Sequence, residues 1–265
     1  MVCHFYKYQG TGNDFVILDN RTGLYDELTE KEVHFLCNRH FGVGADGLML
    51  LNEHPRYDFA MKYYNADGKE GSMCGNGGRS LVKFAYDCGI IRDKYHFIAV
   101  DGEHEASIDD KGIVSLKMSG VSQQSVHDGN AVLNTGSPHY VRYVSDIHSV
   151  DVYNIGKSIR YSDDFPEGIN VNFIENINPH AIKVRTYERG VEDETLSCGT
   201  GVTACAITHA ATVGQHSIQV STKGGVLQVS FHRHQDGTIS DIWLTGPASL
   251  VFEGNVHLNL ANQII

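Results

Sequence analysis

Met73-Cys74-Gly75-Asn76-Gly77-Gly78 and Ser197-Cys198-Gly199-Thr200-Gly201-Val202 say nearly the same thing 124 residues apart, close to half of a 265-residue chain. In each, a cysteine stands directly before a glycine-rich turn that runs into a helix-like stretch. Matching settings, one per half, predict a chain built twice on one plan: two α/β halves, each wrapping a central helix that opens with a cysteine. A helix N-terminus presents unpaired N–H groups and the positive end of the macrodipole. Both favour a thiolate over a thiol. The glycines let a ligand approach the backbone, and the same N–H groups suit a carboxylate. Two such ends face to face describe an acid and a base on opposite sides of an α-carbon. One thiolate removes the α-proton, the other thiol delivers a proton to the opposite face, and the stereocentre inverts. The amide clusters spread the developing carbanion charge, so no cofactor is expected.

Around these segments the chain alternates strands and helices. Strands are expected over residues 2–8 and 15–18, separated by Gly10-Thr11-Gly12-Asn13-Asp14. Thr29 with Glu32 forms a capping box, and Leu28 with Val33 a hydrophobic staple, which predicts a helix to about Asn38. Strands at 48–51 and 58–64 precede a helix from Gly75 to Asp87, stopped at Gly89. Further strands are expected near 95–100, 104–109, 113–118, 139–144, 169–174 and 181–187. The helix after Cys198 is small and apolar almost all round to Ala211, which suits a buried helix, and Gly214 is expected to end it. Strands near 217–221, 225–231 and 239–244 follow. Analogy between the halves divides the chain into 1–118, carrying Cys74, and 119–265, carrying Cys198, with the last residues able to pack back on the first half.

Composition narrows the partners. A net charge of −11 argues against nucleic acid or an anionic membrane surface. The start, Met1 to Lys7, lacks a basic region followed by an apolar core, so no signal peptide is expected. Six cysteines in a chain this long do not make a disulfide scaffold, and the cytoplasm is the expected home. Cys3, Cys37, Cys88 and Cys205 read as small buried hydrophobes. Gly42-Val43-Gly44-Ala45-Asp46-Gly47 matches a dinucleotide pattern, but a helix precedes it and a strand follows, the reverse of what that fingerprint needs. The cysteine spacings make no zinc knuckle, so no metal is expected.

The residues also carry a family resemblance. Gly10-Thr11-Gly12-Asn13-Asp14-Phe15, Arg39 to Gly47, Asn65-Ala66-Asp67-Gly68, both cysteine segments, Gly136-Ser137-Pro138-His139, Tyr187-Glu188-Arg189-Gly190 and Thr245-Gly246-Pro247-Ala248 occur in an order that resembles diaminopimelate epimerase along nearly the full length. The resemblance implies an α+β fold of two pseudo-symmetric halves, each a mixed or antiparallel barrel-like sheet around a central helix. It implies a homodimeric isomerase, independent of pyridoxal phosphate, that interconverts LL- and meso-diaminopimelate in lysine biosynthesis. By that likeness Cys74 and Cys198 are the acid and base. Gly75, Asn76, Gly199 and Thr200 hold the reacting carboxylate. Asn13, Asn65, Asn170 and Arg189 bind substrate, several at the distal end, and Arg189 is apt for a carboxylate. His139 and Glu188 tune the thiols, and Glu188 also matches a substrate contact. Two departures stand out: Ser137 where the family often has asparagine, and Gly47 where it has glutamine.

Two other readings compete. Proline and hydroxyproline racemases also pair two cysteines but typically carry histidine where this chain has Asn76. A thiol redox protein would use the cysteine pair as a switch, although no C-x-x-C motif is present. Oxidation is expected to couple Cys74 to Cys198 and abolish activity, measured by thiol counting and by recovery on reduction. Full activity with that disulfide intact would overturn the two-thiol reading.

Overall fold

The computed structural model describes residues 1–122 and 124–258. It divides into two compact units, Met1–Val114 with the described residues from Pro247 onward, and Ser115–Gly246. The division thus falls at 114/115, where the sequence placed it at 118/119, and Pro247 starts the segment that returns to the first unit.

In the first unit, β1 (Val2–Gly10) and β2 (Asn13–Asp19) form an antiparallel hairpin. Thr11 and Gly12 both have positive φ, 52° and 87°, the mirror-image two-residue turn whose twist matches that of the strands. Helix α1 (Glu30–Cys37) begins at the expected capping box: Glu32 N–H donates to Thr29 Oγ1 and Thr29 N–H to the Glu32 carboxylate. Val33 is buried, and Leu28 packs against the same apolar cluster. Strand β3 (Gly47–Asn52) lies parallel to β2, and β4 (Ala60–Asn65) lies antiparallel to β3. The two-residue β5 (Glu70–Gly71) turns back onto β4 and leads into α2 (Gly75–Asp87). After α2, β6 (Lys94–Ala99) pairs parallel with β4, and β7 (Gly102–Ile108) pairs antiparallel with β6. Helix α2 packs on β1, β2, β3 and β7, so the strands wrap it. It stops at Cys88 and Gly89, and Gly89 takes φ +98° as a C-terminal glycine should.

The second unit repeats this order. Strand β8 (Val114–Lys117) begins at the division, and β9 (Gln124–His127), β10 (Asn130–Asn134) and β11 (Pro138–Tyr143) form successive hairpins. Helix α3 (Val152–Arg160) stands where α1 stands in the first unit. Strand β12 (Asn170–Asn178) is parallel to β11, β13 (Ala181–Glu188) is antiparallel to β12, and the short β14 (Asp193–Thr195) turns back on β13. Helix α4 (Gly199–His209) follows, then β15 (Gly214–Thr222) parallel to β13, with β16 (Gly225–Arg233) and β17 (Ile239–Gly246) antiparallel beyond it. Helix α4 packs on β10, β11, β12, β13, β15 and β16. Hairpin, outer helix, parallel strand, antiparallel strand, short strand and central helix recur in the same sequence in both units. Strand β18 (Ser249–His257) then pairs antiparallel with β1 and also contacts α2.

Several elements depart from the expectation. Helix α3 lies in a stretch where no element was expected, and Gly156 sits inside it. A β-carbon at Gly156 would lie 2.4 Å from the Tyr187 Cβ, so glycine is what lets α3 lie flat on β13. The two-residue β5, the three-residue β14 and strands β9, β10 and β18 were not expected either. Most residues of β18 are exposed, so no apolar alternation marks it, and its pairing with β1 fixes it. Helix α4 ends at His209 rather than Ala211, and Gly214 opens β15 instead of stopping the helix. The Arg233 guanidinium donates to the carbonyls of Ile207 (2.7 Å) and Ala210 (3.1 Å), taking the place of a glycine cap. Cys3, Cys37 and Cys205 are buried as expected, whereas Cys88 is half-buried at the end of α2.

The Gly156→Ala variant is expected to lose about 1–3 kcal/mol of stability from overpacking against Tyr187. Alanine gains back less than that, about 1 kcal/mol, as a better helix former. Urea unfolding reads the change as a lower midpoint, and an unchanged midpoint would refute the packing argument.

Candidate active site

Both predicted cysteines are N-caps of central helices. In the first unit Cys74 has extended backbone, and its Sγ accepts the Gly77 N–H at 3.2 Å, the place a serine hydroxyl takes in an ordinary cap. A β-carbon at Gly77 would stand 3.0 Å from that sulfur and 3.4 Å from Met49 Sδ, so glycine makes the room the thiol occupies. Asn76 is buried beside it. Its Oδ1 accepts from Arg79 Nη2 (2.9 Å), and its Nδ2 points to Asn13 Oδ1 at 3.4 Å. Asn13 donates in turn to Asp46. A charge network fixes this edge. Lys7 and Arg39 both bind Asp14, and Arg39 also reaches Asp46. Burial alone would raise the Asp14 pKa, but its bonds to Arg39 and Lys7 outweigh burial and hold the carboxyl well below the usual range.

Asn65 lies at the end of β4, opposite Gly47 of β3. A β-carbon at Gly47 would meet the Tyr63 ring at 2.5 Å and its hydroxyl at 2.7 Å. One at Gly71 would meet Asn65 Nδ2 at 2.9 Å and the same ring at 3.1 Å. Two glycines on flanking strands therefore open a slot that Tyr63 fills, and the space a longer side chain at position 47 would use is taken by its phenol. Sequence reasoning missed Tyr63. Its signal was a pair of glycines flanking β4, Gly71 opposite Tyr63 and Gly47 opposite Asn65, legible only once the strand pairing is known.

In the second unit Cys198 caps α4 without a side-chain cap bond. Its Sγ lies 3.5 Å from Thr200 Oγ1. That hydroxyl sits 2.9 Å from His139 Nε2 and 3.2 Å from Ser137 Oγ, and Thr135 Oγ1 donates to the Thr200 carbonyl at 2.8 Å. Ser137 Oγ also accepts from Asn170 Nδ2 at 3.1 Å, and Asn170 Oδ1 accepts the Arg189 N–H at 2.9 Å. Predicted residues Ser137, His139, Asn170, Arg189, Cys198 and Thr200 are thus joined in one hydrogen-bonded chain. The Arg189 side chain donates to the carbonyls of Glu167 and Gly168. Glu188, at the end of β13, accepts from Thr195 Oγ1 at 2.9 Å.

Asn172, another residue missed in the sequence, sets the protonation of His139. It is fully buried. Its Nδ2 donates to the Tyr140 carbonyl at 3.0 Å and its Oδ1 accepts from Thr186 at 2.9 Å, so its amide has one orientation. The same Nδ2 lies 3.1 Å from His139 Nδ1, which must therefore accept. The proton sits on Nε2 and points at the Thr200 and Ser137 hydroxyls. Burial, aided by the nearby Arg189 charge, pushes the His139 pKa down to about 3. The ring is a fixed neutral donor. The other four thiols are pushed up by burial, Cys37 to about 12 and Cys205 well above the ordinary value. Among the described residues no group of His, Cys, Asp and Glu is placed to hold a metal ion. Helix α1 before Gly42–Gly47 and strand β3 after it rule out the nucleotide-binding geometry.

Comparison with known proteins adds to this geometry. The family model for diaminopimelate epimerase matches residues 5–123 and 131–251. The diaminopimelate epimerase of Flavobacterium psychrophilum is 48% identical over 254 residues, covering 95% of this chain and 99% of the relative. That of Chlorobaculum tepidum is 42% identical, with 94% and 99% covered. Among solved structures, a Bacillus anthracis phenazine biosynthesis protein of the PhzF family superposes with a TM-score of 0.79 at 14% identity, covering 97% of this chain and 100% of that one. A probable proline racemase of Agrobacterium radiobacter K84 gives 0.70 at 16%, with 98% and 94% covered. At those identities the likeness is one of fold.

The neutral ring has a measurable consequence. Between pH 6.5 and pH 3 the unfolded chain binds a proton at His139 that the folded chain refuses, so this residue makes stability fall as pH is lowered across that window. Ring nitrogen NMR is expected to show His139 as the Nε2–H tautomer down to pH 5. The Asn172→Asp variant, which offers Nδ1 an acceptor, is expected to yield an imidazolium at pH 5. A wild-type ring that titrates near 6.5 would overturn the assignment.

Proposed function

This chain belongs to the diaminopimelate epimerase family, and from that premise we propose that it interconverts LL- and meso-diaminopimelate for lysine biosynthesis by two-thiol proton transfer without a cofactor. The observation that carries the reading is the pair of cysteine N-caps, one per structural repeat, each opening a buried helix whose first turn is glycine-rich.

Each helix start offers backbone N–H groups and a positive dipole end to a carboxylate. In this reading the amides of Gly75, Asn76, Gly199 and Thr200 hold the substrate α-carboxylate, and Cys74 and Cys198 are the two proton-transfer groups. One thiolate takes the α-proton, and the electron pair moves into the carboxylate, which becomes an enediolate held by the same amides. The other thiol gives its proton to the opposite face. The two sulfurs then hold each other's starting protonation states, and exchange with water restores them. His139, a neutral donor, orients the Thr200 hydroxyl beside Cys198 rather than acting as a base. Glu188 tunes the thiols and contacts substrate. Asn13, Asn65, Asn170 and Arg189 bind substrate, several of them at the distal, unreacted end. Closure around the substrate keeps water from the carbanion.

The same reading makes the enzyme a cytoplasmic homodimer. Leu250, Val251 and Phe252 on β18 are exposed apolar residues that a second copy would cover, and light scattering measures the mass. Among the described residues no helix is long and apolar enough to cross a membrane. Against the proline racemase alternative stand Asn76 and the high identity to named diaminopimelate epimerases.

Purified protein without pyridoxal phosphate is expected to exchange the α-proton of LL- and meso-diaminopimelate in deuterated water and to leave proline and single amino acids untouched. Cys74→Ala and Cys198→Ala are each expected to lower epimerisation by about 10²–10⁴-fold, the span of one general acid or base. Normal turnover in either variant would sink the two-thiol mechanism.

A further inference from the structure

The turn that carries Arg189 is tied to the outer helix of its unit, by contacts the mechanism does not use. Arg160 ends α3, and its Nη2 donates to Glu192 Oε1 at 3.0 Å. The same oxygen accepts the Gly190 N–H at 3.0 Å, and the other accepts from the Tyr187 hydroxyl at 3.3 Å. The Glu192 N–H donates to the Glu188 carbonyl at 2.8 Å and closes the turn. One carboxylate thus gathers helix, strand and turn. Burial alone would raise its pKa, but its bonds to Gly190, Tyr161 and Arg160 outweigh burial and hold the carboxyl below the usual range.

The backbone bends to keep this carboxylate. Glu192 takes φ +59°, in the left-handed region that most side chains avoid. Glycine would adopt that conformation freely, but it offers Arg160 no anion. Gly168 makes room for the other partner: a β-carbon there would stand 1.5 Å from Arg160 Nη1 and 2.2 Å from its Cζ. The Arg189 guanidinium donates to the carbonyls of Glu167 and Gly168, at 3.3 and 3.4 Å. Arg160 is therefore packed against the very backbone on which the Arg189 side chain rests.

The first unit fastens the matching turn with other groups. Asn65 ends β4 as Glu188 ends β13. In the turn after it, the Ala66 carbonyl accepts from His34 Nδ1 of α1 at 2.9 Å. A β-carbon at Gly68 would stand 2.2 Å from the Glu30 carbonyl oxygen, at the start of the same helix. In both units the turn between the long strand and the short one lies beside a residue predicted to bind substrate, and in both it is held by the outer helix.

We propose that Arg160 and Glu192 are positioning residues for Arg189: their ion pair ties the β13–β14 turn to α3 and sets the reach of the Arg189 guanidinium toward a carboxylate of the substrate. This role rests on the reading of Arg189 as a substrate-binding residue. A guanidinium on a fixed turn loses less freedom on binding than one on a loose turn. The tie therefore acts on substrate affinity and leaves the proton transfers at the thiols alone. Each residue alone is ineffective, since Glu192 without Arg160 loses its hold on the helix, and Arg160 without Glu192 loses its hold on the turn.

Hydrogen exchange of the full-length protein, read by mass spectrometry without substrate, measures the turn itself. Arg160→Gln, which keeps a hydrogen-bond donor and removes the charge, is expected to speed exchange over Glu188 to Thr195 by about fivefold and to leave α4 unchanged. Arg160→Lys is expected to restore most of the protection. Glu192→Gln is expected to match Arg160→Gln, and the double variant to be no worse than either, because all three remove one interaction. With diaminopimelate, Arg160→Gln is expected to raise KM by about fivefold with kcat within about twofold of the wild type. Unmoved exchange in folded Arg160→Gln, additive effects in the double variant, or a loosened turn with an unchanged KM would each overturn the proposal. Where Arg160→Gln fails to fold, Glu192→Gln decides by the same readings. A loosened turn in a protein whose wild type exchanges no α-proton of diaminopimelate would instead refute the substrate assignment and leave the tie between turn and helix standing.

Discussion

The structure depends on burying the N-terminus of a helix. Such an end carries unpaired N–H groups and partial positive charge, and in a protein interior each needs a partner. Helices α2 and α4 are each wrapped by strands of their own unit, so their first turns lie away from solvent, with Gly75–Arg79 and Gly201–Thr203 buried. In the proposed function a substrate carboxylate rests on these N–H groups. The same interior that makes the helix end costly to leave empty makes it effective in holding a carboxylate and its developing charge.

The two repeats meet this constraint with different side chains. In the first, a cation is buried behind the thiol, and Asn76 is fixed by Arg79. In the second, the supports are neutral: Asn172 locks His139, which donates toward Thr200, whose hydroxyl lies beside Cys198. Asn172 also presses on the helix itself, since a β-carbon at Gly201 would stand 2.5 Å from its Oδ1. A duplicated backbone thus carries an unduplicated set of charges.

The departures at Ser137 and Gly47 are absorbed locally. Ser137 Oγ joins the His139, Thr200 and Asn170 network directly, so its short side chain still holds the second helix start. Gly47 is compensated by Tyr63, whose ring needs both Gly47 and Gly71 to be bare. Both show that a position read singly says less than the neighbours packed around it.

The cysteine-glycine repeats, the capping box at Thr29 and the helix stop at Gly89 were all legible in the sequence, because each is a local rule about a helix end or a turn. So were the duplicated plan and the candidate residues of both helix starts. What only tertiary structure decided is where distant side chains meet. Helix α3 contains a glycine whose reason is Tyr187, 31 residues away. Strand β18 exists because β1 offers it an edge. Arg79 reads as an ordinary helix residue, and Asn172 as an ordinary strand residue, until burial strips away water. Hydrogen-bond direction and the charge state of a buried group are set by what surrounds them in space, and no local pattern encodes that.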